Sequence, residues 1–210
     1  MINSMFREIA LPKDNEEEFV EVASRLGIKK LYFLYNFDEF DEKIQEKIEK
    51  VNGLKGIKVE TGFLVNQKNL GKASKKSNLL VVISSDKDRF FIDGKKIKLI
   101  YGFEMSPKKD YLHQRASGLN HILCELIKKN DIAVGFSYSM LLGKDTKTIP
   151  VYIGRLLQNI GLCEKYKVKT IIASFAVNPW EMRPPHDIIN LFSLLKMDGR
   201  KVKESITYNL

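Results

Sequence analysis

The sequence predicts an α/β fold, a TIM-like (β/α) barrel that is irregular or trimmed and has about seven parallel strands. Short apolar segments of strand length alternate with amphipathic helices, and this alternation is typical of a parallel sheet. Seven such units favour a barrel over an open sheet. The chain has 210 residues, whereas a full eight-unit barrel usually needs about 250. We therefore expect one trimmed barrel-like domain over residues 1–210.

The strands are predicted from short apolar runs bounded by glycine, proline or charged residues. The run at 79–84 is the cleanest of them, because it consists almost entirely of large aliphatic side chains. In chain order, the predicted strands are 6–10, 31–35, 57–65, 79–84, 97–103, 132–136 and 170–174.

The helices are predicted from apolar residues that recur at intervals of three and four. Asp14 opens the first helix, which has three glutamates in its first turn and stops at Gly27. The other predicted helices are 38–51, a short basic one within 67–77, 114–130, 146–166, one running from the Pro184-Pro185 pair to 195, and 202–209. In the helix at 114–130, the residues expected to face inward are Leu119, Ile122, Leu123, Leu126 and Ile127. The segment 86–96 fits either a helical turn or a tight connection.

The charge of the chain is unevenly distributed. Residues 1–60 hold 10 basic and 13 acidic side chains, a net charge of −3, while residues 61–210 hold 25 basic and 13 acidic, a net charge of +12. An excess of this size makes an anionic partner such as nucleic acid plausible, although lysine-rich surfaces also serve solubility alone.

Hydropathy and cysteine content exclude two other classes of protein. No apolar run approaches the roughly 18 residues of a membrane span, so we expect no membrane partner. Cys124 and Cys163 are the only cysteines, which implies no disulfide framework and favours a reduced, cytoplasmic protein. Both fall on or beside apolar helix faces, and this position favours a packing role for them.

The search for catalytic motifs returns none. His113, His121 and His186 form no H-x-H or H-E-x-x-H pair, and none follows a predicted strand. A catalytic metal needs several converging nitrogen or oxygen ligands, and no phosphate-binding glycine loop or nucleophile elbow is present. We therefore expect no catalytic residue, no metal site and no cofactor in this chain. A metal-dependent phosphoesterase of a related barrel superfamily is the alternative.

Two residues in the loop after the last predicted strand are candidates for binding an anionic partner. The chain has seven arginines and 28 lysines, so an arginine marks a place where a bidentate fork for phosphate would be useful. Arg183 has this role or pairs with Asp187 or Glu181. Trp180 has two possible roles, stacking on a base or packing against the protein, and its residue type and position favour packing. His121 lies on a polar helix face that is solvated by default.

Several segments, in order, resemble one known family. They are His113-Gln-Arg-Ala-Ser-Gly-Leu-Asn-His-Ile-Leu123, Asp131-Ile-Ala-Val-Gly-Phe-Ser137, Gly161-Leu-Cys-Glu-Lys-Tyr-Lys-Val168, Ile172-Ala-Ser-Phe-Ala176 and Glu181-Met-Arg-Pro-Pro-His-Asp-Ile-Ile189. Together they resemble ribonuclease P protein component 3, an archaeal and eukaryotic family. The resemblance is dense over residues 110–190 and loose before them.

The resemblance implies a barrel related to a metallohydrolase superfamily but without its metal site. It implies that the catalyst is the ribonuclease P RNA, which cleaves precursor tRNA to make the mature 5′ end. The chain would bind that RNA together with protein component 2, in a particle that also contains components 1 and 4. Precursor tRNA would be an indirect partner.

The resemblance also indicates residues that contact RNA. Carried over by position, these are Arg115 and His121 in the first segment, Lys165 in the third and Arg183 in the last. Lys129 and Arg155 are added from their charge and position. Such contacts would read backbone and shape with little reading of bases.

Overall fold

The computed structural model describes residues 5–210, and its centre is a sheet of seven parallel strands. The strands follow one another around the sheet in chain order, from β1 to β7. They are β1 (Arg7–Ala10), β2 (Lys30–Asn36), β3 (Lys58–Leu64), β4 (Leu80–Ile83), β5 (Leu99–Tyr101), β6 (Ala133–Ser137) and β7 (Thr170–Ala173). The predicted fold class and all seven predicted strands are confirmed, with ends that shift by at most two residues.

The two edges of the sheet meet just beyond the end of β7, so the barrel is nearly closed. Phe175 N donates to Ile9 O at 2.8 Å, and Leu11 N donates to Ala176 O at 2.7 Å. The buried Glu8 side chain adds a third link, because its Oε1 accepts from Ser174 N at 2.6 Å. A carboxylate thus takes part in the backbone pairing between the first and last strands.

Helices follow most of the strands and cover the outside of the barrel. They are α1 (Glu16–Arg25), α2 (Glu42–Val51), α3 (Leu70–Ala73), α4 (Asp88–Asp93), α5 (His121–Lys129), α6 (Thr148–Tyr166), α7 (Pro185–Leu194) and α8 (Gly199–Thr207). Within residues 5–210, none of these helices is both long and apolar enough to cross a membrane. The ambiguous segment 86–96 contains the short helix α4.

Two predicted helix starts are wrong, and a capping side chain explains each correction. The helix predicted from 114 begins at His121, since the Asn120 side chain accepts from Leu123 N at 3.0 Å and Gly118 has a left-handed φ of +87°. The helix predicted from 38 begins at Glu42, because the Asp41 side chain accepts from Ile44 N at 2.9 Å. The residues before these caps form a loop at 106–119 and a 3-10 turn at Phe37–Glu39.

The interior of the barrel is filled by apolar side chains from the strands. Tyr101 and Phe175 stack there with ring centroids 3.9 Å apart. Gly135 leaves room for this pair, because a Cβ on Gly135 would lie 2.7 Å from Tyr101 Cβ and 3.0 Å from Phe175 Cζ. The interior is therefore a packed core, as in other barrels of this type.

The N-terminal ends of the strands are covered by residues 208–210. Arg7 donates to Tyr208 O, and Leu210 N donates to Tyr32 Oη at 3.2 Å. Lys30 Nζ donates to Asn209 Oδ1 at 3.2 Å. The open end of the barrel is consequently the opposite one, where the strands end and the loops to the next helices begin.

Candidate nucleic-acid interface

The loops that follow β5, β6 and β7 carry the first group of predicted contact residues. Parallel strands all end at the same edge, so loops 102–120, 138–147 and 174–184 form one surface, which we call the loop face. Arg115 lies in the first of these loops and Arg183 in the third. His121 is the first residue of α5 and is exposed beside the first loop.

The remaining exposed candidates lie at the other end of the molecule. Lys129 is the last residue of α5, and Lys165 lies in the last turn of α6. Both helices run back toward the N-terminal ends of the strands, because each connects consecutive parallel strands. Lys165 is seven residues beyond Gln158 of α6, which contacts Arg115, and this is about 10 Å along the helix axis at ~1.5 Å per residue. The predicted contacts thus fall into two separate groups.

Arg155 is buried, and its guanidinium serves the loop that precedes α5. Its Nη1 donates to Glu104 O at 2.9 Å and Ser106 O at 2.6 Å, and its Nη2 donates to Lys108 O. Its Nε donates to Asp110 Oδ1 at 2.9 Å. Four of its five N–H groups are therefore used inside the protein. This geometry suits a residue that positions the loop, whereas the sequence prediction is a direct RNA contact.

Asp110 joins the buried arginine to the exposed one. One of its oxygens accepts from Arg155 and from Ala116 N at 2.8 Å, and the other accepts from Arg115 Nη1 at 3.0 Å. Burial opposes ionisation of this carboxyl, but these hydrogen bonds outweigh it and lower the pKa of Asp110. Asp110 therefore stays charged and holds Arg115 against the protein.

Arg115 is held in place by α6 as well. The Gln158 side chain accepts from Arg115 N at 3.1 Å and donates to Arg115 O at 3.2 Å. The guanidinium lies across Gly154, since a Cβ there would be 2.9 Å from Arg115 Cζ and Nε. The side chain is still 48% exposed. Its Nη1 is used, and no hydrogen bond within the described residues engages Nε or Nη2.

Arg183 is fixed in a similar way on the third loop. Its Nη1 donates to Trp180 O and Met182 O, both at 2.8 Å. Its backbone N–H donates to Tyr138 Oη at 3.1 Å. The ion pair with Asp187 or Glu181 considered from the sequence does not form, since no carboxylate of residues 5–210 lies within 4 Å of this guanidinium. Its Nε and Nη2 point to no described hydrogen-bond partner.

Tyr138 connects Arg183 to the closure of the barrel. Its hydroxyl donates to Glu8 Oε2, and the other oxygen of Glu8 accepts from Ser174 N. Burial raises the pKa of Glu8, although the hydrogen bonds from Tyr138 and Ser174 oppose this rise. Burial and the neighbouring Glu8 charge raise the pKa of Tyr138, so its hydroxyl stays protonated and remains a donor. The position of Arg183 therefore depends on a buried network at the seam between β1 and β7.

Several residues of this surface could not be found from the sequence. Asp110 and Gly154 carry no motif, because their roles depend on contacts with side chains 45 and 39 positions away. The two cysteines are buried, as their packing role predicts. Across residues 5–210, no group of three or more histidine, cysteine, aspartate or glutamate side chains is arranged to hold a metal ion.

Comparison with known proteins finds one family that matches all the residues that the structure describes. Residues 5–210 match the family described as RNase P subunit p30. The chain is 20% identical over 196 residues to ribonuclease P protein component 3 of Methanothermobacter thermautotrophicus, covering 88% of this chain and 77% of the relative. It is 23% identical over 200 residues to the Methanococcus vannielii protein of that name, covering 90% and 84%.

Solved structures agree on the fold. A chain in the cryo-EM structure of archaeal ribonuclease P with mature tRNA superposes with a TM-score of 0.79 at 19% identity, over 94% of this chain and 87% of that one. Aspergillus niger ochratoxinase superposes with a TM-score of 0.62 at 6% identity, over 97% and 69%. At such low identity, both likenesses concern the barrel alone.

The fold and the surface together define a seven-stranded parallel barrel protein whose loop face carries two arginines held by hydrogen bonds. The chain belongs to the ribonuclease P subunit p30 family, which the resemblance in residues 110–190 predicts. It is accordingly a ribonuclease P protein subunit, and nothing in these comparisons supports the alternative of a phosphoesterase.

Proposed function

We propose that this chain binds the ribonuclease P RNA through phosphates at its loop face and carries no catalytic residue of its own. With protein component 2 it supports cleavage of precursor tRNA by the RNA, in a cytoplasmic particle that also holds components 1 and 4. The observation that carries the proposal is that the guanidiniums of Arg115 and Arg183 are held in place through Nη1, while Nε and Nη2 of each have no hydrogen-bond partner among the described residues.

Each of these two arginines spends one nitrogen on holding its own position. Arg115 does so on Asp110 and Arg183 on two backbone carbonyls, and both keep the Nε and Nη2 edge free within the described structure. That edge is the fork that binds two phosphate oxygens. Because the side chains are already ordered, little conformational entropy is lost on binding. We infer that both arginines are phosphate contacts. We infer an RNA contact also for the exposed His121, the first residue of α5, which lies beside the first loop.

Lys129 and Lys165 form the second part of the proposed RNA surface. Both are exposed, and no ion pair within residues 5–210 neutralises either of them. Since they lie at the far end of α5 and α6, they reach a different part of the RNA from the loop face. For the buried Arg155 we propose a positioning role toward Asp110 and Arg115.

The acidic helix α1 is the surface we propose for protein component 2. Its exposed side chains include Glu17, Glu18 and Glu21, against the single basic residue Arg25. An acidic surface repels RNA phosphates and steers a basic protein partner toward it.

The proposal is tested by RNA affinity measured with Arg115→Ala. Loss of a charged hydrogen-bonded contact to phosphate costs about 1.5–3 kcal/mol, so we expect affinity for ribonuclease P RNA to fall at least tenfold. The slope of log affinity against log salt should decrease by about one. Filter binding over a series of salt concentrations measures both quantities.

A pair of glycine variants tests whether the fixed position of Arg115 matters. Gly154→Ala should displace the Arg115 guanidinium and weaken RNA binding, although alanine stabilises a helix by roughly 0.5–1 kcal/mol. Gly161→Ala is the matched control on the same helix, since a Cβ there meets no atom within 4 Å. It should stabilise the protein by the gain in helix propensity alone and leave RNA affinity unchanged. Unchanged affinity in Arg115→Ala would show that this arginine does not contact the RNA.

A further inference from the structure

The indole of Trp180 is exposed at the loop face. It lies in the middle of the short 3-10 turn Pro179–Glu181 that follows β7, and 65% of the residue is accessible to solvent. The packing role favoured by sequence is therefore wrong. Large aromatic residues that remain this exposed on a fixed turn have a flat apolar face available for a ligand.

The turn that carries Trp180 is fixed by hydrogen bonds on both sides. The Asn178 side chain accepts from Trp180 N at 3.0 Å, and Glu181 N donates to Asn178 O at 3.0 Å. Arg183 Nη1 donates to Trp180 O. Because the guanidinium is bonded to the backbone of the tryptophan itself, the indole and the free edge of Arg183 are presented together.

These two groups match the two parts of a nucleotide. An indole stacks on a nucleobase without regard to its identity, and a guanidinium edge binds phosphate. The backbone N–H of Arg183 donates to Tyr138 Oη after β6, and the turn at 179–181 packs against α1.

The surroundings of Trp180 do not suit a protein partner. Of the large apolar residues between positions 174 and 187, Val177 is the other exposed one, at 41%, and the neighbouring His186 and Asp187 are exposed and polar. The core of a protein interface needs a contiguous apolar patch of several residues. A single aromatic ring among polar groups fits a stacked base better.

We propose that Trp180 stacks on an unpaired nucleobase of an RNA strand while Arg183 binds an adjacent phosphate. This inference rests on the proposed function, since it names the chemistry of one RNA contact within it. It predicts that the loop face prefers RNA with a single-stranded segment over a fully paired duplex, because a base inside a helix is already stacked.

The experiment uses the fact that Trp180 is the only tryptophan in the chain. The protein is titrated with a fluorescently labelled single-stranded oligonucleotide of mixed sequence and, separately, with a duplex of the same length. Tryptophan emission and the anisotropy of the RNA label are read in parallel. We expect the single strand to quench the emission and to protect the indole from acrylamide, while the duplex binds without quenching.

Two variants complete the test. Trp180→Ala should lose about 5- to 150-fold in affinity for the single strand, since one stacked base contributes about 1–3 kcal/mol, and its affinity for the duplex should not change. Trp180→Phe, which keeps a stacking face, should recover most of the loss. RNA binding without quenching, or without loss in Trp180→Ala, overturns this proposal and leaves the proposed function intact. Absence of binding to either RNA overturns both.

Discussion

Replacement of Arg155 by methionine is expected to lower the free energy of unfolding by about 3–5 kcal/mol. The guanidinium is buried and donates to three carbonyl oxygens and to Asp110. Methionine fills part of the volume but leaves the three carbonyl oxygens without this donor and takes one of three hydrogen bonds from Asp110, and buried acceptors that lose their partner are costly. Urea denaturation followed by circular dichroism measures the effect.

Arg89→Met is the control for this experiment. Arg89 is 73% exposed and pairs with Asp93 one turn along α4, so its replacement should change the free energy of unfolding by less than about 0.5 kcal/mol. If Arg155→Met destabilises the protein no more than Arg89→Met, then Arg155 does not hold the loop before α5 and its positioning role is wrong. The direct RNA contact predicted from the sequence would then remain as the role of Arg155.

The second large effect is a pH dependence of stability caused by Glu104. This side chain is fully buried, its Oε1 accepts from Asn159 Nδ2 at 2.7 Å, and its Oε2 has no partner among the described residues. Burial raises the pKa of Glu104 from 4.5 to about 7, against the opposing effect of the Asn159 hydrogen bond. The carboxyl is therefore protonated in the folded protein at pH values where it is ionised in the unfolded chain.

The sign of the effect follows from proton binding. Between pH 4.5 and about 7 the folded state holds one more proton at Glu104 than the unfolded state, so the free energy of unfolding falls as the pH rises through this window. At ~1.4 kcal/mol for each unit of pKa, the total loss is on the order of 3 kcal/mol. Above pH 7 the contribution of this group no longer changes.

Glu104→Gln isolates this contribution, because glutamine mimics the protonated acid. We expect the variant and the wild-type protein to have similar stability at pH 5, and the variant to be more stable by on the order of 3 kcal/mol at pH 8. Glu204→Gln, at an exposed position of α8, controls for the loss of one negative charge. Burial also raises the pKa of Glu8, and its contribution to the pH dependence of stability is the same in all three proteins. An equal difference in stability at both pH values would contradict the account.

The strands β4 and β6 could be predicted from the sequence because each is a short run of mostly apolar residues that are almost all buried. The start of α5 was harder to predict from the sequence. Apolar residues in the loop that ends at Asn120 continue the spacing of the helix, so the pattern does not mark where the helix begins. Ile122, predicted to face inward, is 50% exposed for the same reason: the helix begins beside it.

The candidate site could be predicted only in part. The loop position of Arg183 follows from the order of strands and helices. Arg115 was predicted inside the helix at 114–130, whereas it lies in the loop before α5. The burial of Arg155 could not be predicted, because its partners lie 45 to 51 residues away along the chain. Periodicity reports which face of a helix is apolar, but it does not report which distant loop folds over that face.

The most direct test of the central claim is cleavage of precursor tRNA by the cognate ribonuclease P RNA at low magnesium. The reaction is run with component 2 alone, with this protein alone and with both proteins, and the release of the 5′ leader is measured. We expect strong stimulation by the pair and no cleavage by this protein without the RNA. Failure of the pair to stimulate the RNA, or cleavage by this protein alone, would contradict the account.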